Sequence, residues 1–487
     1  MVTELKPYPE YKDSGVPWLG QVPDNWTVQR LSASITDFVA GTWGGEPNTT
    51  DDTICVRVAD FDRSRLRVRI NRPTIRAIAP ADLRRKRLRR GDLLLEKSGG
   101  GDLQPVGVVM LFDHEEVAVC SNFVARMSVT TGFEPEFLTY LHTTLYSIGL
   151  NVRSIKQTTG IQNLDCRAYL SESVAFPPLS EQVAIVRYLD HADRKVRHAI
   201  RARQQLIKLL TEQKQAIIQH AVTRGLDPNV RLKPSGVPWL GDVPDHWEVL
   251  PLKRVSRVQG GYAFSSSLFD DHGVPIVRMM NLKSGRLKLA GAPCIPESEC
   301  MDRFSARAGD LLYGLSGSIG NFGVVRDEDL PVQINQRVGR FVPLLSRISG
   351  SYLALVVQTP EFSRQVLDMC TGTAQLNVSP LDVERVVITV PSLPEQTAIL
   401  GYAHDATAIL DKAIDVAHRE IDFLREYRTR LIADVVTGKL DVRDVKVPDD
   451  ETYVLPEEIE RIDDVDTVDQ TDDVTEGNSE SSAEETA

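Results

Sequence analysis

Two stretches of the chain carry the same helical pattern of apolar and polar residues. They cover residues 180–225 and 394–439, and a constant shift of 214 positions maps one onto the other without a gap. The pattern predicts two helices of about forty residues, each roughly 60 Å long. A narrow apolar stripe on so long a helix needs a partner, and the other copy, packed antiparallel, is the obvious one. The stripes are Ile185, Leu189, Ala192, Val196, Ala199, Leu206, Leu210 and Ile217, then Ile399, Ala403, Ala406, Leu410, Ala413, Leu424 and Leu431.

A short motif is repeated ahead of the two helices. The string Ser-Gly-Val-Pro-Trp-Leu-Gly occupies residues 14–20 and returns at residues 235–241. Seven identical residues in a row that include Trp and Pro are a strong sign of an internal repeat. The motif is either a structural clasp at the entrance of each domain or a docking strip, and we favour the clasp.

Each motif leads into short β-like runs broken by glycine. Gly-Asp-Leu-Leu occurs at residues 91–94 and 309–312, and Gly-Asp before an apolar run predicts a turn that feeds a strand. The chain is therefore predicted to alternate between globular domains and long helices and to end in an acidic, disordered tail. The predicted segments are residues 1–178, 179–225, 226–392, 393–440 and 441–487, in that order.

The formal net charge of −12 comes from the tail. Residues 441–487 hold 18 of the 68 acidic and 3 of the 56 basic residues, which leaves 50 acidic and 53 basic residues in 1–440. The body is thus mildly basic, and the total charge does not argue against DNA binding. The chain has no run of eighteen apolar residues and no signal-peptide core. We therefore expect neither a membrane span nor secretion by that route.

Catalytic and metal-binding motifs are missing from the sequence. The one Gly-Lys pair, at residues 438–439, is followed by Leu440 instead of the Ser or Thr of a phosphate-binding loop. The Phe-Pro-Pro-Leu string at residues 176–179 lacks the polar first residue with which amino-methyltransferases hold a target amine. The six cysteines are scattered without a zinc spacing, which favours a reducing cytoplasm. We expect no catalysis, metal or cofactor in this chain.

The residues that do suggest a function are mainly arginines. Residues 57–90 contain twelve arginines and one lysine, and every second residue from Arg63 to Arg69 is arginine, so that in a strand these side chains would line one face. Arginine suits DNA phosphates and the bidentate reading of guanine, whereas a solvated charged face is the plainer interpretation. Asn and Gln side chains cluster in loops of both domains, where they either read adenine edges or act as turn formers.

The predicted DNA-binding residues come from the arginine-rich segment and from the polar loops of the two domains. They are Arg57, Arg84, Arg85, Arg87, Lys97, Ser98, Gln157, Thr158, Gln162, Asn163, Arg278, Ser316, Ser318, Asn321, Gln336, Arg337, Gln375 and Asn377.

The repeated motifs resemble those of a known family, the specificity subunits of type I restriction–modification systems. The shared features are the two Ser-Gly-Val-Pro-Trp-Leu-Gly openings, the two Gly-Asp-Leu-Leu stretches and the Pro-x-Leu-x-Glu-Gln starts of both helices. The resemblance covers about residues 10–440. It implies an α/β fold in which two target-recognition domains are joined by two long antiparallel coiled-coil helices, with a pseudo-two-fold internal repeat.

The resemblance also implies a function. Each domain would read one half of a bipartite double-stranded DNA sequence in the cytoplasm, without catalysis or a cofactor of its own. The helices would set the gap between the half-sites and dock two methyltransferase subunits, which bind S-adenosylmethionine. Restriction or translocase subunits can join such a complex, and no membrane is involved.

Two features depart from the family pattern, and one other function stays open. The acidic tail lies outside the pattern, and Gly401 is a weak point within the second helix, at about 1 kcal/mol relative to Ala. The alternative function is a non-catalytic scaffold for protein assembly with two binding modules. The feature that would distinguish the two functions is whether the apolar seam of the helices and the arginine-rich loops lie on different faces.

Overall fold

The chain folds into two compact units whose boundary runs through both long helices. Unit 1 comprises residues 1–203 and 419–487, and unit 2 comprises residues 204–418. Each unit holds one globular domain, the first part of one long helix and the last part of the other. The computed structural model describes residues 5–101, 104–157, 161–238, 240–283, 285–317, 319–371 and 376–448.

Unit 1 is made of short strands with three short helices. The strands are β1 (Tyr11–Asp13), β2 (Gln21–Pro23), β3 (Thr27–Arg30), β4 (Ile35–Ala40), β5 (Asp52–Val56), β6 (Phe61–Asp62), β7 (Arg67–Val68), β8 (Ile75–Ala77), β9 (Asp92–Glu96), β10 (Ser98–Gly99), β11 (Val109–Phe112), β12 (Ala118–Cys120), β13 (Val124–Val129), β14 (Ile155–Gln157), β15 (Gln162–Leu164) and β16 (Ser173–Phe176). The helices are α1 (Pro80–Lys86), α2 (Pro135–Ser147) and α3 (Cys166–Leu170).

The core of unit 1 surrounds a six-stranded sheet with the order β4-β13-β9-β11-β7-β6. Strand β9 is buried along its whole length, and β13 runs antiparallel to both β4 and β9. Gly91, with φ of 90°, turns the chain into β9, as the Gly-Asp motif predicts. A second sheet, β12-β5-β8, contains a parallel β5–β12 pair, and β16 pairs with β3 before the chain enters the first long helix.

Unit 2 follows with its own strands and short helices. The strands are β17 (Leu232–Pro234), β18 (Asp242–Pro244), β19 (Glu248–Pro251), β20 (Ser256–Gly260), β21 (Val274–Val277), β22 (Leu282–Lys283), β23 (Arg286–Leu287), β24 (Cys294–Ile295), β25 (Leu311–Gly314), β26 (Phe322–Val324), β27 (Gln333–Ile334), β28 (Val338–Pro343) and β29 (Val387–Val390). The short helices are α5 (Gly350–Val357), α6 (Pro360–Asp368) and α7 (Pro380–Val383). We number the two long helices α4 and α8.

The sheets of unit 2 repeat the plan of unit 1. The order β20-β28-β25-β26 corresponds to β4-β13-β9-β11, and the parallel pair of β21 with β27 corresponds to that of β5 with β12. The antiparallel pair of β19 with β29 likewise corresponds to that of β3 with β16. The predicted α/β fold with an internal repeat is thereby confirmed.

The long helices are α4 (Leu179–Arg224) and α8 (Leu393–Val436), as the heptad pattern predicts. Ile185 of α4 is buried in the core of unit 1, and Ile399 of α8 is buried in the core of unit 2. Leu206 differs from the prediction, since it is 44% exposed. Its repeat counterpart Glu420 is also exposed, so this heptad position faces solvent in both helices.

The antiparallel arrangement is visible within unit 1. Asp193 near the start of α4 pairs with Arg428 near the end of α8, and Arg203 further along α4 pairs with Glu420 at 3.0 Å. The residue number of the contacting side chain increases along α4 while that of its partner decreases along α8, as in an antiparallel pair. In unit 2, the end of α4 and the start of α8 share one hydrophobic cluster.

A tryptophan that follows the repeated opening motif ties the domain to its helix, and we call this contact with the Glu-Gln start of the helix the clasp. Trp26, six residues beyond the motif, is fully buried and donates from Nε1 to the Glu181 carboxylate at 2.7 Å. The next residue, Gln182, donates to the Pro177 carbonyl and accepts from the Glu134 amide, both at 2.9 Å. The Glu-Gln start of α4 therefore serves two contacts, one with the entrance of the domain and one with its body.

Unit 2 has the same clasp. Trp247 donates from Nε1 to Glu395 at 2.8 Å. Gln396 donates to the Pro391 carbonyl at 3.0 Å and accepts from the Ser349 amide at 2.9 Å. Both domains are thus tied to their helices by the same contact, while the role of the motif at residues 14–20 and 235–241 as a clasp stays a prediction.

The first eight residues of the predicted tail are built into unit 1. The Asp441 amide donates to the Lys6 carbonyl at 2.8 Å. Val442 is 2% exposed within the core, and the Arg443 guanidinium lies 4.9 Å from the centre of the Tyr8 ring. The predicted start of the tail at residue 441 is therefore too early, because a buried valine and an aromatic contact hold this segment in place.

The arginine-rich segment does not form the predicted alternating strand. Residues 63–66 form a turn in which Leu66 has φ of 58°. The Asp62 carboxylate holds the turn by accepting hydrogen bonds from the amides of Ser64 and Arg65, each at 3.0 Å. The arginines of this segment therefore do not share one strand face. Among the described residues, no helix is long and apolar enough to cross a membrane.

Truncation distinguishes the built-in segment from the rest of the tail. A chain that ends at Gly438 loses the buried Val442 and the contact of Arg443 with Tyr8, and we expect unit 1 to lose about 2–4 kcal/mol of stability. A chain that ends at Pro448 keeps these contacts and should unfold like the full chain. The measurement is the urea midpoint of each purified chain. Equal midpoints for both truncations would contradict the role of this segment.

Candidate nucleic-acid interface

Four segments of unit 1 meet at one edge of its main sheet. Strands β4 and β9 are parallel to each other because both pair antiparallel with β13, so their carboxyl ends lie where β13 begins. Residues 41–42, 97–98 and 121–123 lie at that edge. Residues 162–163 join them because β15 pairs with β10. We call these four segments rim 1.

Main-chain hydrogen bonds hold rim 1 together. The Phe123 carbonyl accepts from the amides of Lys97 and Ser98 at 2.9 and 3.2 Å. The Gly41 amide donates to the Val124 carbonyl at 3.0 Å. Because these bonds use backbone groups alone, they place the turn at residues 121–123 without engaging its side chains.

The predicted polar residues of rim 1 have two different roles. Ser98 donates from Oγ to Oδ1 of Asn163 at 2.6 Å, and both residues are accessible to solvent. Gln162 is buried and accepts from the Val106 amide at 3.1 Å, so it acts as a backbone-capping group. Lys97 is half-buried at the same edge.

Arg57 lies beside rim 1. It follows β5, whose parallel partner β12 leads into the turn at residues 121–123, and the Ser121 amide donates to the Val56 carbonyl at 2.8 Å. The Arg57 amide donates to Asp60 at 2.7 Å, and its guanidinium pairs with the same carboxylate at 3.3 Å. The side chain stays 40% exposed, which leaves it accessible to an outside anion.

Unit 2 forms a matching edge, which we call rim 2. Strand β28 runs antiparallel to both β20 and β25, so the carboxyl ends of those two strands meet where β28 begins. The segments of rim 2 are residues 261–262, 315–316, 335–337 and 376–377. The Arg337 carbonyl accepts from the Leu315 amide at 2.9 Å, as the Phe123 carbonyl accepts from that of Lys97.

The predicted residues of the second domain gather at rim 2. Ser316 donates from Oγ to Oδ1 of Asn377 at 2.5 Å, which repeats the Ser98–Asn163 contact. Gln336 and Arg337 are exposed.

Two further predicted residues flank rim 2. The Arg278 amide donates to Oδ1 of Asn281 at 2.9 Å, in the geometry of Arg57 with Asp60. Asn321 accepts through its carbonyl from the Gly314 amide at 2.8 Å, next to the rim.

Three predicted arginines lie at the other end of the sheet. Arg84 and Arg85 are exposed on α1, and Arg87 follows it. The Arg87 carbonyl accepts from the Arg126 guanidinium at 2.6 Å, and this segment leads to the amino end of β9, whereas rim 1 lies at the carboxyl end. Five strand residues, roughly 17 Å, separate the two ends.

Other predicted residues cannot be placed at either rim. Thr158, Ser318 and Gln375 lie outside the described residues, and only the backbone of Gln157, in β14, is described.

The sequence prediction missed two residues of rim 1. Asn122 and Phe123 are exposed in the turn that carries Gln336 and Arg337 in unit 2. The shift of 214 positions that relates the long helices also relates these turns, since it maps 122 onto 336 and 123 onto 337. This shift of 214 positions was the signal available in the sequence. It is weak at these turns because the paired side chains differ, with Phe123 matched to Arg337.

The thiols beside rim 1 are suited to packing and not to chemistry. Burial raises the pKa of Cys55 to about 11 and that of Cys120 to about 12, so both stay protonated at neutral pH. Within the described part of the chain, no group of His, Cys, Asp and Glu side chains could hold a metal ion.

Substitution of Gly41 tests how tightly rim 1 is assembled. A Cβ at Gly41 would lie 2.1 Å from the Ser121 carbonyl oxygen, so Gly41→Ala must move the backbone and should cost about 2 kcal/mol or more in the free energy of unfolding. Gly401→Ala is the control, because its Cβ meets nothing within 4 Å inside α8 and should stabilise by about 1 kcal/mol. Urea unfolding measures both, and a neutral Gly41→Ala would argue against close assembly.

Comparisons with known proteins point to one family. Residues 244–414 match the family model described as type I restriction modification DNA specificity domain. The chain is 24% identical over 310 residues to the type I restriction enzyme MjaVIII specificity subunit of Methanocaldococcus jannaschii, which covers 62% of this chain and 70% of that protein. It is 22% identical over 305 residues to the EcoBI specificity subunit of Escherichia coli, covering 61% and 63%.

A solved structure shares the fold. It is described as the structural basis of complex assembly and conformational transition of the type I R-M system. It has a TM-score of 0.58 at 18% identity and covers 86% of this chain and 99% of its own.

Proposed function

We propose that the chain is a specificity subunit of a type I restriction–modification system, as the matched domain and the similar relatives suggest, and that its two domains each read one half of a bipartite double-stranded DNA sequence. The domains are residues 1–178 and 226–392, and the chain is a non-catalytic recognition subunit. The observation that carries this proposal is the match between rim 1 and rim 2. Two equal backbone frames with different exposed side chains suit two half-sites of different sequence.

The side chains at the rims have the chemistry for reading DNA. Arginine and lysine neutralise phosphates, and arginine also binds guanine through two hydrogen bonds. The amides of Asn and Gln match the adenine edge. Arg57 in unit 1 and Arg278 in unit 2 supply cations at corresponding places, whereas Lys97 at rim 1 and Arg337 at rim 2 occupy different positions of the shared frame.

The long helices would serve assembly. We infer that the lengths of α4 and α8 set the gap between the half-sites and that two methyltransferase subunits dock on the helices. In unit 2, Tyr402, Ile409 and Val416 recur every seven residues on α8 and are 46%, 76% and 49% exposed. An exposed apolar stripe at heptad spacing is a surface suited to packing against a helix of a partner protein. The partner would bind S-adenosylmethionine, restriction or translocase subunits can join, and the complex would work in the cytoplasm.

The salt dependence of DNA binding tests the role of rim 1. Replacing Arg57 and Lys97 by Ala should weaken binding of the assembled complex to its target and flatten the dependence on salt by about one unit of slope per lost phosphate contact. The matched control is the Arg84→Ala, Arg85→Ala double variant, which loses the same charge at the other end of the sheet. If the Arg84→Ala, Arg85→Ala variant reduces the salt dependence of DNA binding and the Arg57→Ala, Lys97→Ala variant does not, DNA contacts α1 and not rim 1.

Paired insertions test the helices as spacers. Adding four residues after Leu210 in α4 and four after Asp415 in α8 lengthens both helices by about 6 Å and keeps their packing faces nearly in register. Mapping methylated sites should then show the same two half-sites with one or two more base pairs between them, at ~3.4 Å per base pair. Half-sites that change identity across an unchanged gap would refute the spacer role. Two-residue insertions rotate each face by about 200° and should prevent assembly.

A further inference from the structure

The turn at residues 121–123 and its counterpart at residues 335–337 occupy one place in the two domains. The Val124 amide donates to the Ser121 carbonyl at 3.0 Å, and the Val338 amide donates to the Asn335 carbonyl at 2.9 Å. Each turn follows a strand of a parallel pair, β12 in unit 1 and β27 in unit 2. Residues at equal positions in the two turns therefore face equal surroundings.

Further main-chain bonds fix both turns from outside. The Ser121 amide donates to the Val56 carbonyl at 2.8 Å, and the Asn335 amide donates to the Val277 carbonyl at 3.1 Å. The Thr42 amide donates to the Cys120 carbonyl at 2.7 Å.

In unit 2, the bond that corresponds to the Thr42–Cys120 bond runs from the Tyr262 amide to the Ile334 carbonyl at 2.9 Å. A turn held by its neighbours on every side presents its side chains at set positions, which is what the reading of base edges requires.

The exposed residues of the turns differ between the domains. In unit 1 they are Asn122 and Phe123, and in unit 2 they are Gln336 and Arg337. Phe123 is 41% exposed although the next residue, Val124, is fully buried. The Phe123 side chain is therefore accessible to DNA, and its position at rim 1, on a turn whose backbone is fixed by main-chain bonds, is what suggests a contact with a base.

Resting on the proposed function, we propose that Asn122 and Phe123 determine the specificity of the first domain. The Asn122 amide suits the adenine edge in the major groove, and the Phe123 ring suits the methyl group of thymine. Gln336 and Arg337 take the corresponding positions in the second domain, where the amide again suits adenine and the guanidinium suits guanine. The two half-sites thus differ at the base pairs that these turns face.

The test is a selection of bound sequences from random duplex DNA by the full chain in complex with its methyltransferase subunits. Phe123→Ala should relax one or two adjacent positions of one half-site by roughly five- to 100-fold in discrimination and leave the other half-site unchanged. Arg337→Ala should do the same in the other half-site only. Asn122→Ser, which keeps a small polar side chain, should relax a position next to that of Phe123.

The control is Val117→Ala. Val117 is 43% exposed in the same domain and lies before β12, away from the turn, so the selected sequence should not change. Thermal unfolding shows that each variant is folded. A wild-type motif that survives both Phe123→Ala and Asn122→Ser overturns this inference alone, whereas a wild-type complex that selects no motif overturns the proposed function.

Discussion

A hydrogen bond between an indole and a carboxylate, buried in unit 1 and partly buried in unit 2, holds the base of each domain. Trp26 with Glu181 and Trp247 with Glu395 join the entrance of the domain to the first turn of its own helix. Hydrogen bonds to a charged acceptor contribute about 1.5–3 kcal/mol, and a buried carboxylate left without them would cost more than that. Burial, followed by its hydrogen bond to Glu181, raises the pKa of Tyr8, which therefore stays a protonated donor to the same carboxylate.

The rims lie on strand ends that this junction does not touch. Their frame is made of main-chain bonds between strands whose order repeats in the two units. Such bonds depend little on side-chain identity, whereas the clasp depends on particular residues, Trp, Glu and Gln. This explains why the Trp residue and the Glu-Gln pair of the clasp are the same in the two copies while the turns at the rims are not.

The long helices and the Gly-Asp turns could be predicted from the sequence because both are local. Heptad spacing needs only the helix itself, and a turn needs only two or three residues. The rims could not be predicted in the same way, because Lys97, Ser98 and Asn163 meet only when distant strands pair. The expectation for Arg63 to Arg69 was wrong for a related reason, since Asp62 binds the backbone of the next residues and replaces a strand by a turn. The outer position of Leu206 likewise depends on the packing of the two helices, which spacing alone does not show.

The separation between frame and side chains has a consequence for how such a protein changes over generations. Asn122, Phe123, Gln336 and Arg337 are exposed on turns whose backbone is held by other residues, so most substitutions there cost little in folding. If these turns read DNA as proposed, new target sequences would arise by single codon changes without an accompanying repair of stability. On the same proposal, because each turn belongs to a different unit, one half of the recognised sequence would drift while the other is retained.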